Sequence, residues 1–309
     1  MAGRGTLRVA GTAGRTHMPQ QTGALREALT VRMVRAGFRA WPFERGRGWL
    51  LRLSRMLFRD PIACRVGART RIEASLDDSS GVWPFMCQHE HDPQFQRSLD
   101  LLPSGGVAID IGASIGLWSL LAAERRPDAR IHAFEPVPEV AAHCERHVAL
   151  NGLETIVLNV AAVGAEDGVA PFYAIRTANT GASSLIARRF PADEIAVPVV
   201  TLDSYVERAR LDRVDVLKVD VEGAERLVFV GGRRTLSRDD APAIFFEVDE
   251  RLCAAAGTTP REVKQTLVDY GYGIFTWRRG AFGPVAVDDR HRHEDLFALK
   301  PRHLSALVS

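Results

Sequence analysis

Three acidic side chains occupy positions from which they could act together on a substrate. Asp220 and Glu222 follow the apolar run 214–219, and Glu247 lies near the end of a second run, 243–248. If both runs are parallel strands, their carboxyl ends meet at one edge of a sheet, where open α/β sheets bind ligands. Burial and neighbouring acids could raise the pKa of one carboxylate and make it a general base. Alternatively, Asp220 and Glu247 could bind a divalent cation such as Mg²⁺, because hard cations select clustered oxygen ligands.

Helix capping is the structural alternative for part of this cluster. Glu222 and Glu225 flank the start of a helix predicted from residue 223, and carboxylates are favoured near a helix N-terminus. Lys218 lies two residues before Asp220, so both share one face of the predicted strand. We therefore predict that Lys218 is the ion-pair partner of Asp220.

A glycine turn between a predicted strand and a predicted helix indicates a nucleotide site. The strand 107–111 contains Asp110, and the turn from Gly112 and Ala113 to Gly116 leads into the helix. Gly112 allows a tight turn and a close approach to a ligand, and Gly116 lets the helix pack near the strand. The middle glycine of a pyrophosphate fingerprint is missing. Asp110 suits a ligand with a cationic amino-acid portion, reached through water or backbone, although a turn with no ligand is the structural alternative.

A second acid makes the nucleotide prediction more specific. Glu135, followed by Pro136, ends the next predicted strand, 19 residues beyond Gly116. An acidic side chain at this position accepts hydrogen bonds from both ribose hydroxyls of an adenosine ligand. The third strand ends in small residues that include Ala162, which leaves room for a flat adenine ring. The combination predicts an adenosine-containing ligand.

The elements that position these residues alternate between strands and helices after about residue 105. The predicted strands are 107–111, 131–134, 155–161, 214–219, 243–248, 273–277 and 296–300. The predicted helices are 117–125, 140–150, 224–236 and 260–270. This alternation predicts a mostly parallel, doubly wound α/β sheet. Two added strands, 169–174 and 195–201, flank a loop of small polar residues, 177–189, which we predict to be a mobile lid.

The N-terminal part of the chain differs in composition and charge. Residues 1–60 contain 12 arginines and 3 acids. We interpret 1–23 as a disordered basic tail. We interpret 24–104 as a helical cap on the side of a domain spanning 105–305 where a substrate, the acceptor, would bind. Apolar residues at helical spacing among arginines favour a cap that packs on its own domain. The alternative is an amphipathic surface that makes weak peripheral contact with an anionic membrane or with nucleic acid.

Histidines form a second group of candidates for a base or a metal ligand. His89 and His91 precede the nucleotide region, and we interpret them as part of an acceptor pocket or lid. His291 and His293 lie in a very polar loop between the last two predicted strands, which could face the acceptor. In a loop this polar, solvation is a better interpretation than metal binding.

Several classes of protein are disfavoured by the composition. No apolar run approaches the ~20 residues needed to span a bilayer, and the sequence contains no pattern typical of a signal peptide. The four cysteines are scattered without a Cys-x-x-Cys pair. This pattern predicts reduced thiols and a cytoplasmic location. We expect no nucleic-acid partner, and the oligomeric state stays open, a dimer being one option.

Residues 107–250 resemble the FkbM family of S-adenosylmethionine-dependent methyltransferases. The motifs that carry the resemblance are 110–116, 133–136, 181–185, 200–203 and, most specifically, 217–225. The resemblance implies a Rossmann-like class I methyltransferase fold, with a seven-stranded, mostly parallel sheet and helices on both faces. It also implies S-adenosylmethionine as the cofactor and O-methylation of a small molecule, often a sugar or polyketide-type natural product in bacterial secondary metabolism.

The acidic cluster could assist methyl transfer to a hydroxyl. A hydroxyl is a poor nucleophile at neutral pH, so Asp220 or Glu222 would act as a base, or Asp220 and Glu247 would bind a cation that lowers the pKa of the acceptor. Two alternatives remain: a non-catalytic, methyltransferase-like binding module, and a nicotinamide dehydrogenase. The dehydrogenase is disfavoured because the second glycine is missing and because its cofactor would not need Asp110.

Overall fold

A computed structural model describes residues 28–40, 47–176, 179–186, 192–289 and 293–308. The predicted tail, 1–23, lies outside the described residues, as does His291. The predicted lid, 177–189, is described only over 179–186.

The chain before residue 105 forms helices and a small sheet. Its elements are α1 (Leu29–Ala40), α2 (Arg47–Leu57), β1 (Ile62–Arg65), β2 (Arg71–Ala74), α3 (Ser79–Phe85), α4 (Gln88–His91) and α5 (Pro93–Asp100). β1 and β2 pair antiparallel and bury alternate side chains, as the two-residue period of a strand requires. This pair was not predicted, so the region that we expected to be a helical cap is helical only in part.

Strands and helices alternate in the rest of the chain. The strands are β3 (Val107–Ile111), β4 (Arg130–Phe134), β5 (Ile156–Asn159), β6 (Ala162–Val163), β7 (Gly168–Ala174), β8 (Asp193–Val200), β9 (Val216–Val219), β10 (Ala243–Asp249), β11 (Gly273–Arg278), β12 (Ala281–Pro284) and β13 (His293–Leu299). The helices are α6 (Leu117–Arg125), α7 (Pro138–Leu150), α8 (Leu202–Arg208), α9 (Glu225–Gly231), α10 (Arg233–Leu236), α11 (Glu250–Ala255), α12 (Pro260–Asp269) and α13 (Pro301–Val308), with a short 3₁₀ turn at Thr180–Ala182. None of the described helices is long and apolar enough to cross a bilayer.

The main sheet has the strand order β12-β11-β13-β10-β9-β3-β4-β5. Its five strands from β10 to β5 are parallel, and β11, β12 and β13 add antiparallel pairs at one end. β3 and β9 are buried along their whole length, which explains why parallel strands covered on both sides appear in the sequence as continuous apolar runs. The expected Rossmann-like α/β fold is thereby confirmed.

Two details of the prediction were wrong. The sheet has eight strands instead of seven, because β12 pairs with β11 at its edge. β12 was not predicted as a strand because it contains Gly283 and Pro284, which are more typical of turns. The helix predicted over 224–236 is interrupted between α9 and α10 at Gly232. A Cβ atom there would lie 2.7 Å from Cδ2 of Leu202, so this buried side chain would have to shift to admit a larger residue.

Apolar cores lie on both faces of the main sheet. On one face, Ala108 and Val216 pack with residues of α6 and of the N-terminal helices. On the other, Ile109 and Leu217 pack with residues of α9 and α12. The predicted added strands exist and form a separate three-stranded sheet in the order β6-β8-β7. The carboxyl ends of the parallel strands remain open at one edge, where the candidate site lies.

Candidate active site

The turn after β3 is confined by a neighbouring backbone. Gly112 has a φ of 77°, and a Cβ atom at this position would lie 1.8 Å from the carbonyl oxygen of Asp220. Gly116 has a φ of 87°, and its Cβ would lie 2.6 Å from Sγ of Cys144 in α7. Both positions therefore need glycine for conformation and for space. Gly112 and Ala113 line the cavity described below, which Gly116 does not.

Asp110 is buried beneath this turn. One oxygen accepts a hydrogen bond from the Ser119 hydroxyl at 2.7 Å, and the other lies 3.2 Å from Nζ of Lys218. Asp110 does not line the cavity, so the structure gives it no direct contact with a ligand there. Asp110 could still influence a ligand through the backbone, as predicted, because its partner Lys218 also donates a hydrogen bond to the Gly112 carbonyl at 2.7 Å.

Glu135 extends from the end of β4 into the cavity wall. Its two oxygens accept hydrogen bonds from the backbone N–H groups of Ser114 and Val137, both at 3.0 Å. Burial raises the pKa of Glu135 to about 7, although both N–H groups act in the opposite direction. Each carboxylate oxygen can accept a further hydrogen bond. Pro136 also lines the cavity and begins the connection to α7.

One cavity of about 540 Å³ joins the glycine turn, Glu135 and the acidic cluster. A volume of this size is typical of small-molecule and cofactor sites. Beside Glu135 its wall is apolar and includes the predicted residue Ala162. Phe172 and Leu185 complete this wall. The sequence analysis missed both, because they belong to the added three-stranded sheet and to the loop next to it.

Asp220, Glu222 and Glu247 meet in the wall of the same cavity. Each provides an oxygen, and these oxygens lie within 4.8 Å of one another. Burial and the neighbouring carboxylates of Asp220 and Glu222 hold the pKa of Glu247 well above its usual range. The non-glycine residue Glu222 has a φ of 56°, a conformation that is uncommon outside functional sites and turns. The predicted convergence of these acids is thus present.

The sequence analysis missed a fourth acid in this cluster. Asp295 on β13 lies directly opposite Glu247 on β10, and both line the cavity. Burial and the nearby carboxylates of Asp92 and Asp220 raise the pKa of Asp295 to about 7. Because β13 runs antiparallel, the start of this strand lies at the same edge as the end of β10. Pairing register was the only signal that could have revealed Asp295.

Lys218 connects the two halves of the site. Its Nζ lies 3.4 Å from Asp220, as predicted, and 3.2 Å from Asp110, which faces it on the neighbouring strand β3. Burial alone would lower the pKa of Lys218, but the Asp110 and Asp220 carboxylates together raise it. The Lys218 side chain is 8% exposed and that of Asp110 is 0% exposed, so the Asp110 pair is an internal ion pair.

Replacing Lys218 by methionine is expected to destabilise the fold by about 3–5 kcal/mol, because Asp110 would be left buried without its cation. The double variant Lys218→Met/Asp110→Asn should recover a large part of this loss. Urea unfolding of the wild type, both single variants and the double variant measures the coupling. A double variant whose loss equals the sum of the two single losses would show that the pair does not interact.

Residues of the N-terminal region form another part of the cavity wall. Trp83 of α3 and Phe95 of α5 line the cavity, and their rings lie 5.2 Å apart in an edge-to-face arrangement. Ser79 and Ser80 extend this wall towards the predicted lid. Residues before 105 therefore contribute to the cavity itself.

The described part of the predicted lid is attached to both sides of the cavity. Ser184 Oγ lies 3.1 and 3.0 Å from the carbonyl oxygens of Val221 and Glu222. The Thr180 hydroxyl lies 3.5 Å from that of Ser80. These contacts connect residues 179–186 to the acidic cluster and to α3, and mobility of the loop stays a prediction.

The histidine predictions have mixed outcomes. His89 does not line the cavity: its Nε2 lies 2.9 Å from the Val66 carbonyl, and its ring packs beside Trp83. His91 is exposed and also lies away from the cavity. The pocket role that we expected for this pair was therefore wrong. His293 does line the cavity, with Nδ1 3.2 Å from Glu247.

Glu225 has the structural position that capping predicts. Its carboxylate accepts hydrogen bonds from the N–H groups of Gly223 and Val221 at 3.0 and 3.3 Å. The helix begins at Glu225 and not at residue 223. Burial raises the pKa of Glu225 to about 7. This side chain stabilises the turn and does not line the cavity.

Residues 110–274, more than half of the chain, match the family described as "Methyltransferase FkbM domain". The matched segment includes the glycine turn, Glu135 and the acids at the ends of β9 and β10. The chain therefore belongs to the FkbM methyltransferase domain family, as the sequence motifs predicted.

Two named relatives are similar over parts of their length. The chain is 29% identical over 147 residues to "2-O-methyltransferase NoeI" of Sinorhizobium fredii, which covers 43% of this chain and 59% of that protein. It is 28% identical over 168 residues to "31-O-demethyl-FK506 methyltransferase FkbM" of Streptomyces tacrolimicus, and this match covers 44% of this chain and 62% of that protein. The chain thus spans less than two thirds of each relative. A "SAM dependent methyltransferase" structure from Aquifex aeolicus superposes with a TM-score of 0.40 and 11% identity, over 72% of this chain and 94% of that one.

Proposed function

We propose that this protein transfers a methyl group from S-adenosylmethionine to a hydroxyl of a small molecule. The observation that carries the proposal is a single cavity lined by Glu135, by the glycine turn and by the acidic cluster of Asp220, Glu222 and Glu247. Glu135 and the turn have the chemistry to bind an adenosine, and the acidic cluster has the chemistry to remove a proton. Membership of the FkbM family supports the same reaction.

The residues around Glu135 and the glycine turn fit the proposed cofactor. Glu135 has acceptor capacity left for ribose hydroxyls, and Ala162 and Phe172 provide an apolar wall for a flat base. Gly112 leaves no room for a side chain, so backbone is exposed to a ligand at the turn. When bound, S-adenosylmethionine would supply an electrophilic methyl group on a positively charged sulfur.

Asp220 is the best candidate for the base that accepts the hydroxyl proton. Its side chain is 47% exposed to the cavity and surroundings, so an acceptor can reach it. The raised pKa of Glu247 favours a protonated acid at neutral pH, which would donate a hydrogen bond to the acceptor oxygen and not remove its proton. Glu222, whose backbone is tied to Ser184, could serve as a second base or could orient the acceptor. Proton transfer to Asp220 would increase the nucleophilicity of the acceptor oxygen, and the hydrogen bond from Glu247 would hold that oxygen in place for the transfer.

Binding of a divalent cation by Asp220 and Glu247 stays a prediction. The cluster has the oxygen ligands that Mg²⁺ prefers. Turnover measured after extensive dialysis against EDTA, and again after Mg²⁺ addition, tests the metal directly. Loss of activity that Mg²⁺ restores would favour the metal over a metal-free base.

We further propose that residues 24–104 cover the acceptor side of a catalytic domain spanning 105–305. Support comes from the aromatic residues Trp83 and Phe95, which line the cavity from this region. The names of the two relatives, a 2-O-methyltransferase and a 31-O-demethyl-FK506 methyltransferase, favour an oxygen as the acceptor atom. A sugar or polyketide-type natural product, which the family resemblance implies, stays our prediction for the acceptor.

Calorimetric titration distinguishes the proposed function from its alternatives. Tight binding of S-adenosylmethionine without binding of NAD is expected. Tight binding of NAD would favour a dehydrogenase, and binding of neither ligand would contradict an adenosine site. If S-adenosylmethionine binds but no hydroxylated acceptor from a panel of glycosides and macrolides is methylated, the non-catalytic binding module becomes the better interpretation.

Cofactor affinity is expected to increase with pH between about 6 and 8. The pKa of Glu135 is raised to about 7, and only its ionised form offers both oxygens to the ribose hydroxyls. Below this pKa the affinity should decrease by up to about tenfold per pH unit. Calorimetry at several pH values measures the trend.

Two variants check the origin of this pH dependence. Glu135→Gln should bind weakly, with an affinity that does not change over the same range. Glu225→Gln is the matched control, because Glu225 also has a pKa of about 7 but lies outside the cavity. If the control loses the pH dependence and Glu135→Gln keeps it, the assignment to Glu135 is wrong.

A further inference from the structure

The two N-terminal helices expose apolar side chains on the faces that do not pack on the domain. α1 buries Val31, Arg35 and Phe38. Leu29 and Met33, one helical turn apart on another face, are 70% and 67% exposed. A surface helix normally presents polar residues to solvent. The packing of α1 on its own domain therefore accounts for only one of its faces.

α2 shows the same arrangement with larger side chains. Trp49 and Met56 lie seven residues apart, hence on one face, and are 66% and 84% exposed. Arg52 lies between them on this face, and Leu57 beside it is 60% exposed. Of the nine large apolar residues exposed in the described part of the chain, five lie in α1 and α2. This concentration in two short helices indicates a binding surface.

The charged side chains that α1 and α2 themselves carry are all basic, and two of them are paired with acids of other elements, Arg39 with Glu90 and Arg55 with Asp77. Residues 28–40 and 47–59 contain seven arginines and no aspartate or glutamate. Arg32, Arg52 and Arg59 are exposed, and no described residue forms a hydrogen bond or ion pair with their guanidinium groups. The exposed apolar residues are therefore accompanied by arginines whose charge is available to an anionic partner.

We propose that α1 and α2, the anchor helices, bind the surface of an anionic lipid bilayer. Apolar side chains inserted among headgroups, next to arginines paired with lipid phosphates, are the two contributions that hold interfacial helices on membranes. A second copy of the chain would bring like charges together. The segment 1–27 carries four arginines and one acid, so it has the wrong charge to cover this face. Nucleic acid would match the arginines but would leave the exposed tryptophan, methionines and leucines without a function.

The anchor helices are firmly connected to the cavity wall. The Arg35 guanidinium, which is 1% exposed, donates hydrogen bonds to the carbonyls of Phe85 and Pro84 at 3.0 and 3.2 Å. These carbonyls belong to α3, whose residues Ser80 and Trp83 line the cavity. The helices proposed to bind the bilayer are thus tied directly to an element that lines the cavity.

Sedimentation of the full chain with vesicles tests the proposal. The chain should bind vesicles of equimolar phosphatidylglycerol and phosphatidylcholine at least about tenfold more tightly than vesicles of phosphatidylcholine alone, with weaker binding at high salt. Trp49→Ser/Met56→Ser and Arg32→Glu/Arg52→Glu should each lower the affinity for mixed vesicles by about tenfold or more. Val169→Ser is the matched control, because Val169 is 73% exposed on β7 and lies far from these helices in the chain.

A second measurement starts from the wild type and needs only one conservative variant. Bromolipids in the mixed vesicles should quench part of the wild-type tryptophan fluorescence, and Trp49→Phe should lose most of that quenching. The proposal is overturned if the wild type does not bind mixed vesicles or if the control weakens binding as much as the anchor variants. Tighter binding to duplex DNA than to mixed vesicles, or quenching that survives in Trp49→Phe, would also overturn it.

Discussion

Asp220→Asn is expected to lower kcat by about 10³-fold and to change the affinity for S-adenosylmethionine by less than about threefold. Asparagine keeps the size of the side chain but cannot accept the hydroxyl proton. Asp220 lies at the end of β9 among the acids of the acceptor side, whereas the proposed ribose ligand Glu135 follows β4. Single-turnover kinetics measure the chemical step, and calorimetry measures cofactor binding.

Glu247→Gln provides a sharp contrast to this variant. Because the pKa of Glu247 is held high, its protonated form predominates, and glutamine imitates a neutral acid that donates a hydrogen bond. We expect a loss of less than about tenfold in kcat for this variant. Asp240→Asn, an exposed surface replacement paired with Arg238 outside the cavity, should leave both quantities unchanged.

The two acidic variants also distinguish the base from the metal. If Glu247→Gln inactivates the enzyme as strongly as Asp220→Asn, and EDTA does the same, a cation held by both residues becomes the better explanation. If Asp220→Asn retains wild-type kcat, Asp220 has no part in the chemistry. The proposed base is supported only if Asp220→Asn lowers kcat strongly and Glu247→Gln lowers it little.

Local sequence patterns were sufficient to predict the central part of the fold. β3, α6 and β10 were predicted to within about one residue because parallel strands are buried on both faces and helical segments alternate with them along the chain. Glu135 could be found for the same reason: a strand end followed by proline is visible in one sequence. The FkbM motifs extended this prediction to family membership, which the comparison confirmed.

Contacts between elements distant in sequence could not be predicted in this way. Asp295 joins the acidic cluster only through its register opposite Glu247, and register is a property of the assembled sheet. Lys218 lies slightly nearer to Asp110 than to Asp220, because β3 and β9 pair Asp110 with Lys218. The sequence showed Lys218 and Asp220 on one strand face but contained no information about the neighbouring strand.

The N-terminal region shows the same limitation. Trp83 and Phe95 lie well before the first FkbM motif, yet they line the cavity. His89 has a residue type that suggested chemistry, but packing placed it behind Trp83, against a backbone carbonyl. Residue type indicated what each side chain could do, and only the tertiary contacts decided which of them face the cavity.

Gly112→Ala is expected to destabilise the apo protein by about 3–5 kcal/mol and to abolish measurable cofactor binding. The added methyl group would lie 1.8 Å from the Asp220 carbonyl oxygen, much closer than any nonbonded contact allows. Relief requires the turn to move away from β9, and both Ala113 and the hydrogen bond from Lys218 would move with it. Urea unfolding and calorimetric titration with S-adenosylmethionine measure the two effects.

Gly152→Ala separates crowding from backbone conformation. Gly152 has a φ of 63°, similar to that of Gly112, but a Cβ atom there would meet nothing within 4 Å. This variant should lose only the conformational cost of about 1 kcal/mol and should bind the cofactor normally. Equal losses in the two variants would mean that left-handed conformation explains both and that the turn has room for a side chain. A much larger loss at Gly112, together with lost binding, would mean that the close contact between the turn and the end of β9 is needed for both stability and cofactor binding.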